Sequence, residues 1–145
     1  MKIESQVCSL ELAKELKALG VKQEGTLFVY LKTKHAKGLY FATGHIQSLL
    51  NEPGHEWYAA FTVAELGEML PWTFIAKRTS KFPEAEMFLM MSKDDSMDQK
   101  SFSIWYEGMH DDGEEFKWES IIEQNEADAR AKMLIYLIKE GLLKV

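Results

Sequence analysis

With 145 residues, 46% of them apolar and 12% aromatic, the chain suits one domain that buries a sizeable core without disulfides or metals, which excludes a disordered polymer. A lone cysteine, Cys8, excludes an internal disulfide, no apolar run approaches the length of a membrane span, and the charged start MKIESQ has no apolar segment behind it, so a cytoplasmic protein without membrane contact is expected. The net charge of −6 is uneven: from Asp94 to Asp128 twelve acids face two bases, a local −10 that leaves +4 for the remainder, much of it in "KTKHAK" at Lys32 to Lys37.

The first element is "SLELAKELKALGV". Ser9 is a good N-cap, Glu11 lies in the first turn and Gly20 sits at C′, while Leu16 and Val21 occupy the two positions that meet in a Schellman motif. These signals predict a helix from Leu10 to Leu19 whose stripe of Leu12, Ala13, Leu16 and Leu19 lies on a sheet. "TLFVYLKT", the loop "KHAKG" and "LYFATGHI" predict a hairpin with strands near Thr26 to Thr33 and Leu39 to Thr43 and basic residues at its tip. In "QSLLNEPGHE" Pro53-Gly54 is a turn signal, and the residues before it are too few to assign a helix; "WYAA" is then a short strand or an extended lead-in.

"FTVAELGEMLP" carries its own punctuation. Thr62 at N-cap and Glu65 at N3 form a capping box, Phe61 and Leu66 form a hydrophobic staple, and Pro71 ends the helix. Gly67 costs about 1 kcal/mol against alanine in a helix interior, an expense that close approach of a neighbouring group or a bound ligand offsets, with packing the preferred reading.

Beyond Pro71 the period becomes alternating. "WTFIAKRT", "EMFLMMS", "KSFSIWYEG" and "EEFKWES" predict an antiparallel meander. In its third strand Phe102, Ile104 and Tyr106 point one way, and Ser101, Ser103, Trp105 and Glu107 the other; in the fourth Phe116 and Trp118 oppose Glu115, Lys117 and Glu119. The last element, "NEADARAKMLIYLIKEGLL", has Asn125 as N-cap, Glu126 and Asp128 in the first turn and Gly141 at C′. Its apolar residues run most of the way round, with Met133 and Tyr136 opposite the main stripe, so another part of the fold or a second protomer has to cover Tyr136. The elements predict an α+β fold: a single domain over residues 1–145, an antiparallel sheet of about five to six strands (hairpin plus C-terminal meander), and three helices packed mainly on one face.

"SLELAKELKALGVKQE", "AFTVAELGEMLP" and "EADARAKMLIYLI", in this order, resemble segments of a group of small, uncharacterised bacterial proteins of phage and prophage type. The resemblance covers about a third of the chain and implies a mobile-element setting and a cytoplasmic location. It transfers no catalytic residue.

The chemical inventory is equally spare. There is no phosphate-binding GxxxxGKS/T, no GxGxxG after a strand, no HExxH, GxSxG or CxxC. His35, His45, His55 and His110 are scattered, "HDDGEE" fits an Asp-Gly hairpin turn better than a calcium loop, and Cys8 fits a buried inert thiol, so no cofactor and no metal are expected. The contact residues expected are Trp105, on the polar face of the sheet beside an acidic rim, and Tyr136. A negative field repels phosphate backbones and speeds encounter with basic partners. The reading is therefore a phage- or mobile-element-associated binding or adaptor protein with an acidic face, engaging a basic protein or forming a homodimer, with nucleic acid disfavoured. The alternative is a small hydrolase-type enzyme with a site near His110 and its neighbouring carboxylates. An enzyme requires a pocket where a histidine and carboxylates converge; a binding module requires an open face around Trp105.

Overall fold

The computed structural model describes residues 2–76, 84–95, 100–109, 115–117 and 120–145. Its described elements form an α+β fold with two antiparallel sheets. After a 3-10 turn at Ile3–Ser5, helix α1 spans Leu10–Ala18. Its C-terminus closes as the sequence predicts: Gly20 stands at φ 91°, the Val21 N–H donates to the Leu16 carbonyl at 3.0 Å, and the Gly20 N–H donates to the Lys17 carbonyl at 3.1 Å. These are the paired bonds of a Schellman motif. Its start is held differently. Ser9 occupies the N-cap position without a side-chain capping bond, and Asp128 instead accepts the Ser9 backbone N–H at 2.6 Å.

Strands β1 (Phe28–Lys32) and β2 (Lys37–Phe41) form the expected hairpin, β2 beginning two residues before the predicted Leu39. Helix α2 (His45–Leu49) lies in the stretch left unassigned by its sequence. It is short and its N-cap is Gly44, so local signals are weak; Ile46, Leu49 and Leu50 hold it by packing with Val29, Leu31 and Trp57. Strand β3 (Glu56–Ala59) takes the free edge of β1, giving the order β2-β1-β3.

Helix α3 (Val63–Met69) has the full capping box: Thr62 Oγ1 accepts the Glu65 N–H at 3.2 Å, and Glu65 Oε2 accepts the Thr62 N–H at 2.7 Å. Glu65 Oε1 also accepts the Leu27 N–H at 2.9 Å, which ties the helix to the approach of β1. Phe61 and Leu66, the staple pair, are both buried in the core. Thr62→Ala is expected to lower stability by about 0.5–2 kcal/mol, read from urea midpoints at unchanged slope. An unshifted midpoint would show that the cap contributes nothing. A Cβ on Gly67 would stand 2.7 Å from a guanidinium nitrogen of Arg130, so this glycine makes room for a side chain from the last helix.

Strands β4 (Thr73–Ala76), β5 (Ala85–Asp94), β6 (Ser101–Met109) and β7 (Glu115–Lys117) pair consecutively as an antiparallel meander. Strand β8 (Ile121–Glu123) joins the same sheet, pairing with residues Phe102 to Ile104 of β6, whereas β7 pairs with Glu107 to Met109. The strands thus divide between a three-stranded and a five-stranded sheet, because β2 and β3 occupy both edges of β1 and α3 carries the chain away before Pro71. The orientations predicted for Phe116 and Trp118 concern side chains outside the described residues.

Helix α4 (Glu126–Lys139) packs on β6 and β8 and also meets α1 and α3. Met133, Leu134, Ile135 and Leu137 are all buried, which explains why apolar residues run almost all round it. The five-stranded sheet carries α4 on one face, as expected of helices gathered on one side. The smaller sheet has α1 against one face and α2 against the other.

Candidate functional site

Alternation along β5 and β6 decides which side chains the larger sheet offers outward. Met87, Ile104 and Tyr106 point into the core beneath α4. The alternate positions, Phe88, Met90, Ser103 and Trp105, lie on the other face, where the register sets Met90 opposite Trp105, Phe88 opposite Glu107 and Ser103 opposite Ile122. In β6 the predicted split of Ile104 and Tyr106 from Ser103 and Trp105 is therefore observed. The face is more apolar than the sequence suggested. Ile75 is 70% exposed, Ile122 61%, Phe88 46% and Met90 40%, and Trp72 stands exposed just before β4. "EMFLMMS" hid this because both of its alternating sets are apolar, so its pattern did not say which set faces out. The register of β6, with polar neighbours around Trp105, was the signal that could have assigned it.

Trp105 is half-buried within this surface, and its indole N–H donates to Glu107 Oε2 at 3.0 Å. Glu86, Asp94 and Glu107 share the same face by register, so among the residues whose side chains are described the charges placed between its apolar groups are acidic. Tyr136 lies elsewhere. It is half-buried on α4 and packed against the main core, across the sheet from Trp105, so the fold itself covers part of it.

Much of the acidic third is engaged within the chain. Glu126 pairs with Arg130 at 2.7 Å, Asp95 with Lys93 at 2.8 Å and Glu123 with Lys132, while Asp128 accepts the Ser9 N–H. Asp98, Asp111, Asp112, Glu114 and Glu119 lie outside the described residues, as does His110, so the alternative site expected near it falls there. His35 and His45 are exposed, and His55 Nδ1 is 2.9 Å from the Leu49 carbonyl oxygen. Among the described residues no three His, Cys, Asp or Glu side chains gather as a metal site would require. Cys8 is wholly buried, and desolvation pushes its thiol up to about 12, so at neutral pH it stays a protonated, unreactive thiol. No helix among the described residues is long and apolar enough to cross a membrane. No protein-family model matches the chain, and neither does any curated protein or solved structure compared with it.

Proposed function

We propose that this protein is a non-enzymatic binding or adaptor protein that docks a basic protein partner on the outer face of its five-stranded sheet. One observation carries the reading: Ile75, Phe88, Met90 and Ile122 are all substantially exposed on one side of one sheet, around the half-buried Trp105. Scattered exposed apolar residues need no explanation, but a contiguous set with an aromatic centre has the composition of an interface hot spot. Among the described side chains the charges within it are Glu86, Asp94 and Glu107, which favour Arg and Lys on the partner. A second copy of this chain fits less well, because two-fold packing would set a face whose described charges are acidic against an identical face. From the resemblance read in the helical blocks we further propose that the partner is of host or phage origin and is met in the cytoplasm.

Selecting displayed short peptides against the immobilised protein tests the reading. The expected winners combine aromatic or aliphatic anchors with Arg or Lys and weaken with salt; Phe88→Ser with Ile122→Ser should cut their affinity about tenfold or more while leaving the thermal midpoint near that of the parent. Unchanged affinity in the double variant would remove the surface. A concentration-dependent dimer in light scattering, lost in the same variant, would assign the face to self-association instead.

A further inference from the structure

The smaller sheet carries a second feature, independent of the docking face. Helix α1 lies against the β3 side of its face: Lys17 sits 4.9 Å from the centre of the Tyr58 ring, and the Tyr30 hydroxyl donates to the Cys8 carbonyl at 2.8 Å. Towards β2 the face opens into a cavity of about 450 Å³, within the range of roughly 300–1,000 Å³ typical of small-molecule sites.

Its floor is a cross-strand row, with Leu39 and Tyr58 on either side of Tyr30, and Leu10 of α1 forms a wall. The tyrosine hydroxyls are already used, Tyr30 on the Cys8 carbonyl and Tyr58 on the Glu56 carboxylate. What the two residues have left to offer a ligand is ring surface. The next row along the strands is charged, with Lys32 directly opposite both Lys37 and Glu56. Like charges facing across a strand pair destabilise it, and here Glu56 relieves only one of them, approaching Lys32 at 3.6 Å. Lys37 has no carboxylate within ion-pairing distance among the described residues, and Lys14, on the α1 side, lies 5.4 Å from the Tyr58 ring centre and acts on Glu56 only through its field, without an ion pair among the described residues. Glu4 completes the charged lining. Three lysines against two glutamates leave one positive charge over an apolar, aromatic floor.

We propose that this cavity binds a small organic monoanion, its flat or apolar body resting on Tyr30, Leu39 and Tyr58 and its carboxylate, sulfonate or phosphodiester group turned towards Lys37 and Lys14. An excess charge of one selects a monoanion over a neutral molecule of the same shape. The flanking Glu4 and Glu56 oppose a second negative charge.

The probe is 1-naphthalenesulfonate titrated into the ¹⁵N-labelled protein and followed by amide chemical shifts. Shifts are expected at Leu31, Gly38, Leu39 and Tyr58, saturating near or below about 1 mM, with the neutral 1-naphthalenemethanol binding about tenfold more weakly and the cationic 1-naphthylmethylamine weaker still. Lys37→Gln should weaken the sulfonate about tenfold without altering the alcohol, and Leu39→Trp should abolish both by filling the floor, with dispersed spectra showing that each variant is folded. Equal binding of sulfonate and alcohol, shifts confined to β5 and β6, retained affinity in Leu39→Trp, or no saturable shift at all would each overturn the proposal.

Discussion

Tyr106→Ala is expected to destabilise the protein by about 3–5 kcal/mol, the largest loss for any single substitution considered, measured by urea denaturation. The ring is wholly buried at the centre of the inner face of the five-stranded sheet and meets Phe74 edge-on, with centroids 4.9 Å apart. Its removal leaves a hole where β6 meets the core, and neighbouring side chains on separate elements cannot all collapse into it. The hydroxyl adds a second role: it donates to the Pro71 carbonyl at 2.5 Å, so the centre of the meander is bonded to the residue that ends α3. Burial raises the phenol well above its ordinary range, which keeps it a donor at every pH where the protein would be handled. Tyr106→Phe separates the two roles. It should cost only about 0.5–1.5 kcal/mol, or somewhat more if the Pro71 carbonyl finds no other donor. A loss for Tyr106→Phe as large as for Tyr106→Ala would show that the hydrogen bond, not the packing, is the main contribution.

Asn125→Ala is expected to cost about 2–3 kcal/mol, more than a helix cap alone accounts for. Asn125 Oδ1 accepts the Ala127 N–H at 2.9 Å, the ordinary capping bond of α4. Its amide Nδ2 also donates to the carbonyl of Val7 at 3.0 Å. Val7 is wholly buried, so deleting the donor strands an acceptor away from water in addition to uncapping the helix. Asn125→Asp keeps the cap acceptor and favours the positive end of the helix, but it has no donor for Val7. It should therefore fall between the parent and the alanine variant. Stability equal to the parent would mean that the Val7 bond carries no weight.

What the sequence revealed follows from how far each signal reaches. The capping box of α3, the Schellman closures at Gly20 and Gly141 and the N-cap of α4 all involve residues within a few positions of one another, and each forms as its local pattern predicts. The order of the meander was legible because turn residues separate alternating runs. Features set by distant contacts were not. Ser9 is a capping residue by type, yet Asp128 holds the start of α1; "QSLLN" has no strong helix signal, yet packing on β1 makes it α2; Ile121 to Glu123 form a strand only because β6 has an edge to offer. The division of the strands into two sheets is of the same kind, since nothing within β4 says that it cannot pair with β3. For the candidate site, Trp105 was legible from the serines and Glu107 alternating with it. Its companions Phe88 and Met90 were hidden in a strand that is apolar on both sides, and Ile122 lay in a strand the sequence did not separate. The cavity on the smaller sheet was not legible at all, because it depends on α1 covering only one side of a three-stranded face.

The short segment from Val7 to Ser9 is bonded on one flank to the approach of α3, where the Cys8 N–H donates to the Phe61 carbonyl, and on the other to Asn125 and Asp128, across 119 positions of sequence between Ser9 and Asp128. Such a seam has a kinetic meaning. On a chain emerging from the ribosome, α1 exists long before its clasp has been synthesised, and bringing the two together closes a very long loop at a high entropic cost. The hairpin and α3 can gather early around local contacts, whereas the final locking of the amino-terminal helix has to await the arrival of α4. Until then the part of its apolar stripe that α4 covers stays open to solvent.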